Sequence, residues 1–230
     1  MRGPGYAVLD ASNLCSLTHT TLAELQELIS SWQQLPPDEH LRDGGRYRKR
    51  RHACFIVEDG VVQPVAQRAH WQPLQYNALH GGLSRWFAPI DESIISSSVW
   101  LSFLSGMAEL ASCLKGPTRW FVEAHQFRID TSDGIGRPTP EGAHRDGVDL
   151  VAVVLIDRHA IKGGETRVFA ADGPLGIRFT LSEPWSALLL DDERVIHEST
   201  PIQPQGEAEG HRDTLVLTLR RGGFQGPQGP

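Results

Sequence analysis

His144 and Asp146 stand two residues apart in "EGAHRDGVDLVAVVLI", just ahead of an apolar run that reads as a strand. Residues two apart on a strand share a face, so one imidazole and one carboxylate point the same way. Such a pair suits two ligands of one metal ion. His197, in "LLLDDERVIHESTPI", ends another apolar strand and supplies a third. Two imidazoles and one carboxylate leave open positions on Fe(II), as oxygen activation requires, whereas a structural zinc site is closed by four protein ligands and favours sulfur. Open positions imply that other molecules bind there. Arg212 and Thr214 in "HRDTLVLTLRR" are again two apart, so a guanidinium and a hydroxyl converge on one carboxylate at the start of the last strand. A dicarboxylic cosubstrate is implied. 2-Oxoglutarate fits the arrangement, its keto acid end chelating the metal and its far carboxylate reaching the arginine.

These side chains meet only if the strands that carry them roll up. From Arg119 onward the chain breaks into short runs, "RWFVEAHQFRI", "VDLVAVVLI", "TRVFA", "LGIRFTL", "SALLLDD", "RVIHEST" and "TLVLTLRR", separated by Gly, Pro and Asp. Regular short strands argue for an antiparallel barrel or double sheet of jelly-roll type and against alternating βα units. Helices come first. Thr21 and Glu24 form a capping box for a helix with Leu25, Leu28, Ile29 and Trp32 on one face, stopped by Pro36 and Pro37. A second helix is expected after Asp91 as N-cap, with Ile95, Val99, Phe103 and Met107 on one face and Gly116-Pro117 closing it. The expectation is an α+β chain with one domain over 1–221, helical support mainly in 1–118, a jelly-roll core mainly in 119–221, and a flexible tail "GGFQGPQGP" over 222–230. The polar loop "DTSDGIGRPTPEG" is placed over the barrel mouth.

Composition narrows the partners. A chain of 230 residues can bury one full core, and its net charge of -6 disfavours nucleic acid and membrane surfaces. Cys15, Cys54 and Cys113 are odd in number and widely spaced, which argues against a disulfide framework and for a reducing cytoplasm. The start "MRGPGYAVLD" has no apolar leader, and no run reaches the roughly 18 apolar residues of a spanning helix. A small-molecule partner is expected, with neither nucleic acid nor membrane; a homodimer stays open.

The ordered set His144-x-Asp146, His197 and Arg212-x-Thr214 resembles the iron- and 2-oxoglutarate-dependent dioxygenases built on a double-stranded β-helix. More narrowly, "HRDG", "GGET" and "DDERVIHESTPI", after "YNALHGGLSRWFAPID" and "HQFRI", are similar to the bacterial dioxygenases that hydroxylate free L-amino acids, the L-isoleucine dioxygenase group. The resemblance runs from about Tyr47 to Arg220. It implies a double-stranded β-helix (jelly roll, cupin-like) with supporting helices, and the cofactors Fe(II), 2-oxoglutarate and O2. It also implies hydroxylation of a small free L-amino acid, aliphatic or cyclic, at an unactivated carbon. His144, Asp146 and His197 would then be the catalytic metal ligands, and Arg212 and Thr214 the cosubstrate anchors.

An amino acid needs a cation for its carboxylate. Arg128 is the candidate, alternating with Gln126 on one face of "HQFRI", and Arg85 in "GGLSRWF" is another. Barrel strands alternate faces, so the sequence leaves open which face is inside. His19, His40, His52, His70, His159 and His211 read as solvated or capping side chains, while His80 and His125 stay undecided. The Arg46–Arg51 cluster reads as a solvated face with Arg48 turned inward. Two other functions fit parts of the pattern: a cupin-like isomerase or hydrolase that ignores 2-oxoglutarate, and a noncatalytic jelly-roll binding protein.

Overall fold

The structure, a computed structural model, describes residues 1, 3–77 and 79–227. In chain order its elements are β1 (Tyr6–Leu9), α1 (Ala11–Thr18), α2 (Leu22–Glu27), a 3-10 turn (Ile29–Trp32), β2 (Arg48–Glu58), β3 (Val61–Pro64), α3 (Glu92–Ile95), α4 (Ser98–Lys115), β4 (Trp120–Asp130), β5 (Leu150–His159), β6 (Ile161–Gly163), β7 (Thr166–Ala170), β8 (Gly176–Phe179), β9 (Ala187–Asp191), β10 (Val195–Ser199), β11 (Ile202–Pro204) and β12 (His211–Arg220). It is a mixed α/β fold, mostly antiparallel sheet. Seven strands pair in the order β1-β9-β5-β12-β4-β2-β3, and two small sheets, β10-β7-β8 and β11-β6, complete the structure.

Alternation along the long strands divides the large sheet into two faces. Ala53, Phe55 and Val57 of β2, Trp120, Val122 and Ala124 of β4, and Leu215, Leu217 and Leu219 of β12 pack with Trp100, Phe103, Leu104 and Met107 of α4. That face is apolar and dry, so its burial is the main source of stability. The opposite face is divided: Val151, Leu155, Leu188 and Leu190 pack against Val168 and Val195 of the small sheet. Beside them, from β2, β4 and β12, this face presents Arg48, Arg50, His125, Phe127, Arg212 and Thr214 to a cavity.

The capping box holds: Thr21 Oγ1 accepts from Glu24 N, and Thr21 N donates to Glu24 Oε2. Other expectations need correction. Asp91 precedes only the four-residue α3 and makes no side-chain cap; the long helix starts six residues later, where Ser97 Oγ accepts from Trp100 N. The stretch read as mainly helical support also contributes β1, β2 and β3 to the large sheet. The tail read as flexible is docked: Phe224 meets Phe121 edge to face at 5.1 Å, and Gln225 Nε2 donates to the carbonyls of Asp146 and Gly147. Its final residues, 228–230, lie outside the described residues. No helix among the described residues is long and apolar enough to cross a membrane.

α1 crosses α4 at Gly106, where an added Cβ would stand 2.4 Å from the Leu17 carbonyl oxygen and 2.6 Å from Thr18 Cα. Backbone on the far side cannot swing away as a side-chain tip would. Gly106→Ala is therefore expected to destabilise by about 1–3 kcal/mol, the range for overpacking, seen as a lower urea midpoint at unchanged slope.

Candidate metal and cosubstrate site

A short antiparallel bridge brings the two histidines together: His144 N donates to the His197 carbonyl at 3.0 Å and His197 N to that of His144 at 2.9 Å. Their rings sit 4.6 Å apart, centre to centre. Asp146 Oδ1 lies 3.9 Å from His144 Nε2, and Oδ2 lies 3.8 Å from His197 Nε2. One donor atom from each residue falls within 4.8 Å of the other two. That is the spacing a single ion spans.

The chain around Asp146 is built to hold it there. Gly147 has φ +76°, and a Cβ on it would press into the Tyr76 ring at 2.4 Å. Through this tight turn the backbone N–H groups of Asp146, Gly147 and Val148 all donate to the buried Asp192 carboxylate, at 3.0, 2.7 and 3.1 Å. Gln72 Nε2 donates to Asp146 Oδ1 at 3.0 Å and leaves the other oxygen unbonded by it. His144 Nδ1 donates to the Gly142 carbonyl at 2.9 Å, which leaves the Nε2 lone pair facing Asp146.

Electrostatics fit a cation in the middle. Burial, and then the neighbouring His144, push His197 well below the usual imidazole range, so it stays neutral, the form that ligates. Burial raises Asp146, with Glu141 adding to the effect; burial also pushes Asp192 up to about 7, with the Asp146 charge contributing. Carboxylates crowded in this way are short of a positive charge. The donor set, two imidazoles and a carboxylate with no thiolate, suits ferrous iron.

Deeper in the same cavity lies Arg212, only 3% exposed. Its Nε and Nη2 are buried and have no hydrogen-bond partner among the described residues. Burial, and then nearby Arg158, lower it to about 10, so at neutral pH the guanidinium is charged and unmatched. An unmatched buried cation is costly unless an anion arrives. Thr214 lines the cavity beside it, beyond an irregularity in the β12–β5 register between Asp213 and Thr214. The skipped residue belongs to β5, and β12 keeps an unbroken register with β4 here, so Arg212 and Thr214 both line the cavity.

The substrate-side expectations divide. Arg85 is buried and lines the cavity. Arg128 and Gln126 do not, and this corrects the reading of β4: Arg128 forms a two-pronged pair with Asp213 at 2.8 and 2.6 Å, and Gln126 Nε2 donates to Ser31 Oγ. The odd-numbered positions His125, Phe127 and Ile129 face the cavity instead. Arg48 does turn inward, but so does Arg50, whose guanidinium lies 3.6 Å from the centre of the Phe87 ring. Both are held by Asp38, Arg48 Nε at 2.7 Å and Arg50 Nη1 at 3.7 Å. The cluster is therefore split: Arg46 is exposed and Lys49 and Arg51 are partly so, while Arg50 joins Arg48 inside. His52 and His70 are not solvated, since both are buried around Glu123.

Glu123, His52, His70 and His125 form a second group with metal-ligand spacing. It is a hydrogen-bonded carboxylate. Glu123 Oε2 lies 2.5 Å from His70 Nδ1, whereas two ligands of one tetrahedral ion stand roughly 3.3 Å apart. Arg50 Nη2, 2.6 Å from His125 Nδ1, brings a positive charge that would repel a metal. Burial holds His70 down to about 4, although Glu123 pulls the other way. An unfolded imidazole titrates near 6.5, so as pH falls the unfolded chain takes up a proton that the folded chain refuses. Stability is complete above that value and falls toward pH 4, by up to about 3 kcal/mol for this group. His70→Gln keeps a donor for Glu123 and is expected to flatten the fall in melting temperature between about pH 7 and 4.5. Identical acid limbs in the two proteins would contradict this account.

Gln72, Asp192 and Glu141 escaped the reading of the sequence. Gln72 and Glu141 lie outside strands, where no periodicity marks them; Asp192 had a signal in the doubled "DD" that ends an apolar strand.

The sequence profile of the family described as "2OG-Fe dioxygenase" matches residues 29–218. No curated protein matches the chain. Among solved structures, a bsmA homolog from Methylobium petroleophilum PM1 is 54% identical over 98% of this chain and 92% of its own, with a TM-score of 0.94. IDO from Bacillus thuringiensis is 17% identical over 98% and 96%, TM-score 0.78. The Fe(II)/α-ketoglutarate-dependent dioxygenase TqaL is 17% identical over 98% and 86%, TM-score 0.70. At that identity the last two share the fold alone.

Proposed function

Because this chain belongs to the 2OG-Fe dioxygenase family, we propose that it hydroxylates a small free L-amino acid, aliphatic or cyclic, at an unactivated carbon. The chain is a 2-oxoglutarate-dependent dioxygenase, of a family that uses Fe(II), 2-oxoglutarate and O2. We assign His144, Asp146 and His197 to the iron, and Arg212 with Thr214 to the far carboxylate of 2-oxoglutarate. The large sheet, facing β10-β7-β8 and β11-β6 across the cavity, is read as the double-stranded β-helix.

Ferrous iron, when bound, couples the decarboxylation of 2-oxoglutarate to insertion of one oxygen atom into a substrate C–H bond, releasing succinate and carbon dioxide. The chain's own part is placement. Gly142 and Gln72 orient His144 and Asp146, and Arg212 draws the cosubstrate inward by a charge-assisted hydrogen bond. The walls of Phe127, Ile129, Val153 and Val216 keep water from the reacting carbon. Three free cysteines, Cys15, Cys54 and Cys113, accord with a reducing cytoplasm.

The observation that carries the amino-acid reading is Arg85, a buried guanidinium on the cavity wall whose only side-chain hydrogen bond among the described residues goes to the neutral Gln72 amide, at 2.9 Å. It supplies a second carboxylate site beside that of Arg212. A screen of free L-amino acids for iron-dependent succinate release, with product masses, tests the reading. A product 16 mass units heavier from at least one of them is expected, and no stimulation by any would overturn it. A cupin-like isomerase or hydrolase has no use for 2-oxoglutarate, and a binding protein releases no succinate, so the same assay separates both.

A further inference from the structure

Charged groups on the cavity wall can be sorted by whether the protein itself neutralises them. Arg48 and Arg50 share the single Asp38 carboxylate, Arg48 through a hydrogen bond at 2.7 Å and Arg50 at 3.7 Å, which leaves Arg48 Nη2 and Arg50 Nε without a partner. Arg212 is matched to the cosubstrate. Two remain. Arg85 is 2% exposed, its Nε has no partner, and no carboxylate touches it among the described residues. Glu141 has a side chain 11% exposed, and its buried Oε2 has no partner. Its other oxygen stands 3.6 Å from His144 Nε2, too far for a hydrogen bond. The two do not bond each other, yet Glu141 lies near enough to favour the charge on Arg85.

We infer that Arg85 and Glu141 together form a clamp for a zwitterion, Arg85 taking the α-carboxylate and Glu141 the α-ammonium of the substrate. The inference rests on the amino-acid reading above and adds the receptor for the amine. In an α-amino acid the opposite charges sit on neighbouring groups joined through one carbon, as a cation and an anion that face one space without touching require. Each unpartnered charge is costly alone, and one ligand relieves both. Arg85 is held in place, and the chain two residues before Glu141 is tethered. Arg85 is pinned by paired backbone hydrogen bonds with His70, at 2.9 and 3.0 Å. Near Glu141, Thr139 Oγ1 donates to the Ser199 carbonyl and accepts from Ser199 N, both at 3.0 Å. Pre-positioned charges discriminate strongly against a ligand that lacks the matching group.

The test uses the full chain with Fe(II) and 2-oxoglutarate. The probes are the amino acid that gives the fastest succinate release in the screen and the acid of the same skeleton without the amine; for L-isoleucine that is 3-methylpentanoate. Wild type is expected to prefer the amino acid by about 100-fold or more in kcat/KM, because the acid leaves Glu141 buried and unmatched. Glu141→Gln is expected to raise KM for the amino acid by roughly 30-fold with kcat within about 3-fold, and to shrink the preference for the amine to under about 5-fold. Co(II) affinity, titrated by absorbance, should not change. Equal use of both probes by wild type, which needs no variant, overturns the clamp and leaves the amino-acid reading standing. Retained preference in Glu141→Gln does the same. Loss of Co(II) affinity in that variant would make Glu141 a metal ligand and also overturn the clamp. If no amino acid is turned over, the parent reading fails and the clamp falls with it.

Discussion

Asp146→Ala is expected to abolish iron-dependent 2-oxoglutarate turnover, with a loss beyond about 10³-fold, since even changes behind the ligands cost 10- to 100-fold in such sites. The carboxylate is the only anionic donor of the set, and without it two neutral imidazoles remain. Stability should move the other way. In the metal-free protein burial raises Asp146, and Glu141 adds to this against the pull of His144, while the Asp146 charge in turn helps raise the buried Asp192. Removing it should leave the apo melting temperature unchanged or higher, while the upward shift produced by added Co(II) disappears. A variant that merely misfolds would show the opposite, a lower apo melting temperature. Equal decarboxylation by wild type and variant would sink the iron assignment.

Arg212→Ala is expected to raise the 2-oxoglutarate concentration for half-maximal rate by roughly 10²-fold to several thousand-fold, the scale of breaking a buried ion pair at about 3–5 kcal/mol. The guanidinium is buried and has two unpartnered nitrogens, so the carboxylate it would bind is its missing partner. The substrate-saturated rate should fall much less, because the group is assigned to the end of the cosubstrate far from the reacting atoms. Replacing Arg212 with methionine fills the space without the charge and should raise apo stability, since a desolvated cation is removed. A half-maximal concentration within a few-fold of wild type would place the far carboxylate elsewhere.

How much of this was legible before the fold was known depends on strand parity. Arg212 and Thr214, or His144 and Asp146, are two apart, and that spacing kept each pair together in space. For β4 the same rule selected the wrong face. The clue was in its own pattern: Trp120, Val122 and Ala124 are apolar at even positions, so the even face enters the core and Gln126 and Arg128 follow it. β2 repeats the lesson with Ala53, Phe55 and Val57 at odd positions, which turns Arg48, Arg50 and His52 to the other side. Cross-strand register supplied what no single strand contains: Thr214 opposes Phe127 and Arg212 opposes Ile129, which fixes the inner face of β4 once that of β12 is known. Gln72 and Glu141 come from irregular segments, where the chain path is set by tertiary contacts and leaves no period to read. The Asp91 error has a similar source, because Ser97 interrupts what looks like one continuous apolar stripe.

β12 lies between β5 and β4, hydrogen-bonded along both edges for most of its length. Amides in such a strand exchange with solvent only when a large part of the molecule opens, whereas loops open at little cost. The anchor we assign to the diacid is therefore on a strand paired on both sides, and the group proposed to read the amine is on a segment outside the sheet. Warming, or mild denaturant, should blur the choice among substrates before it loosens the grip on 2-oxoglutarate.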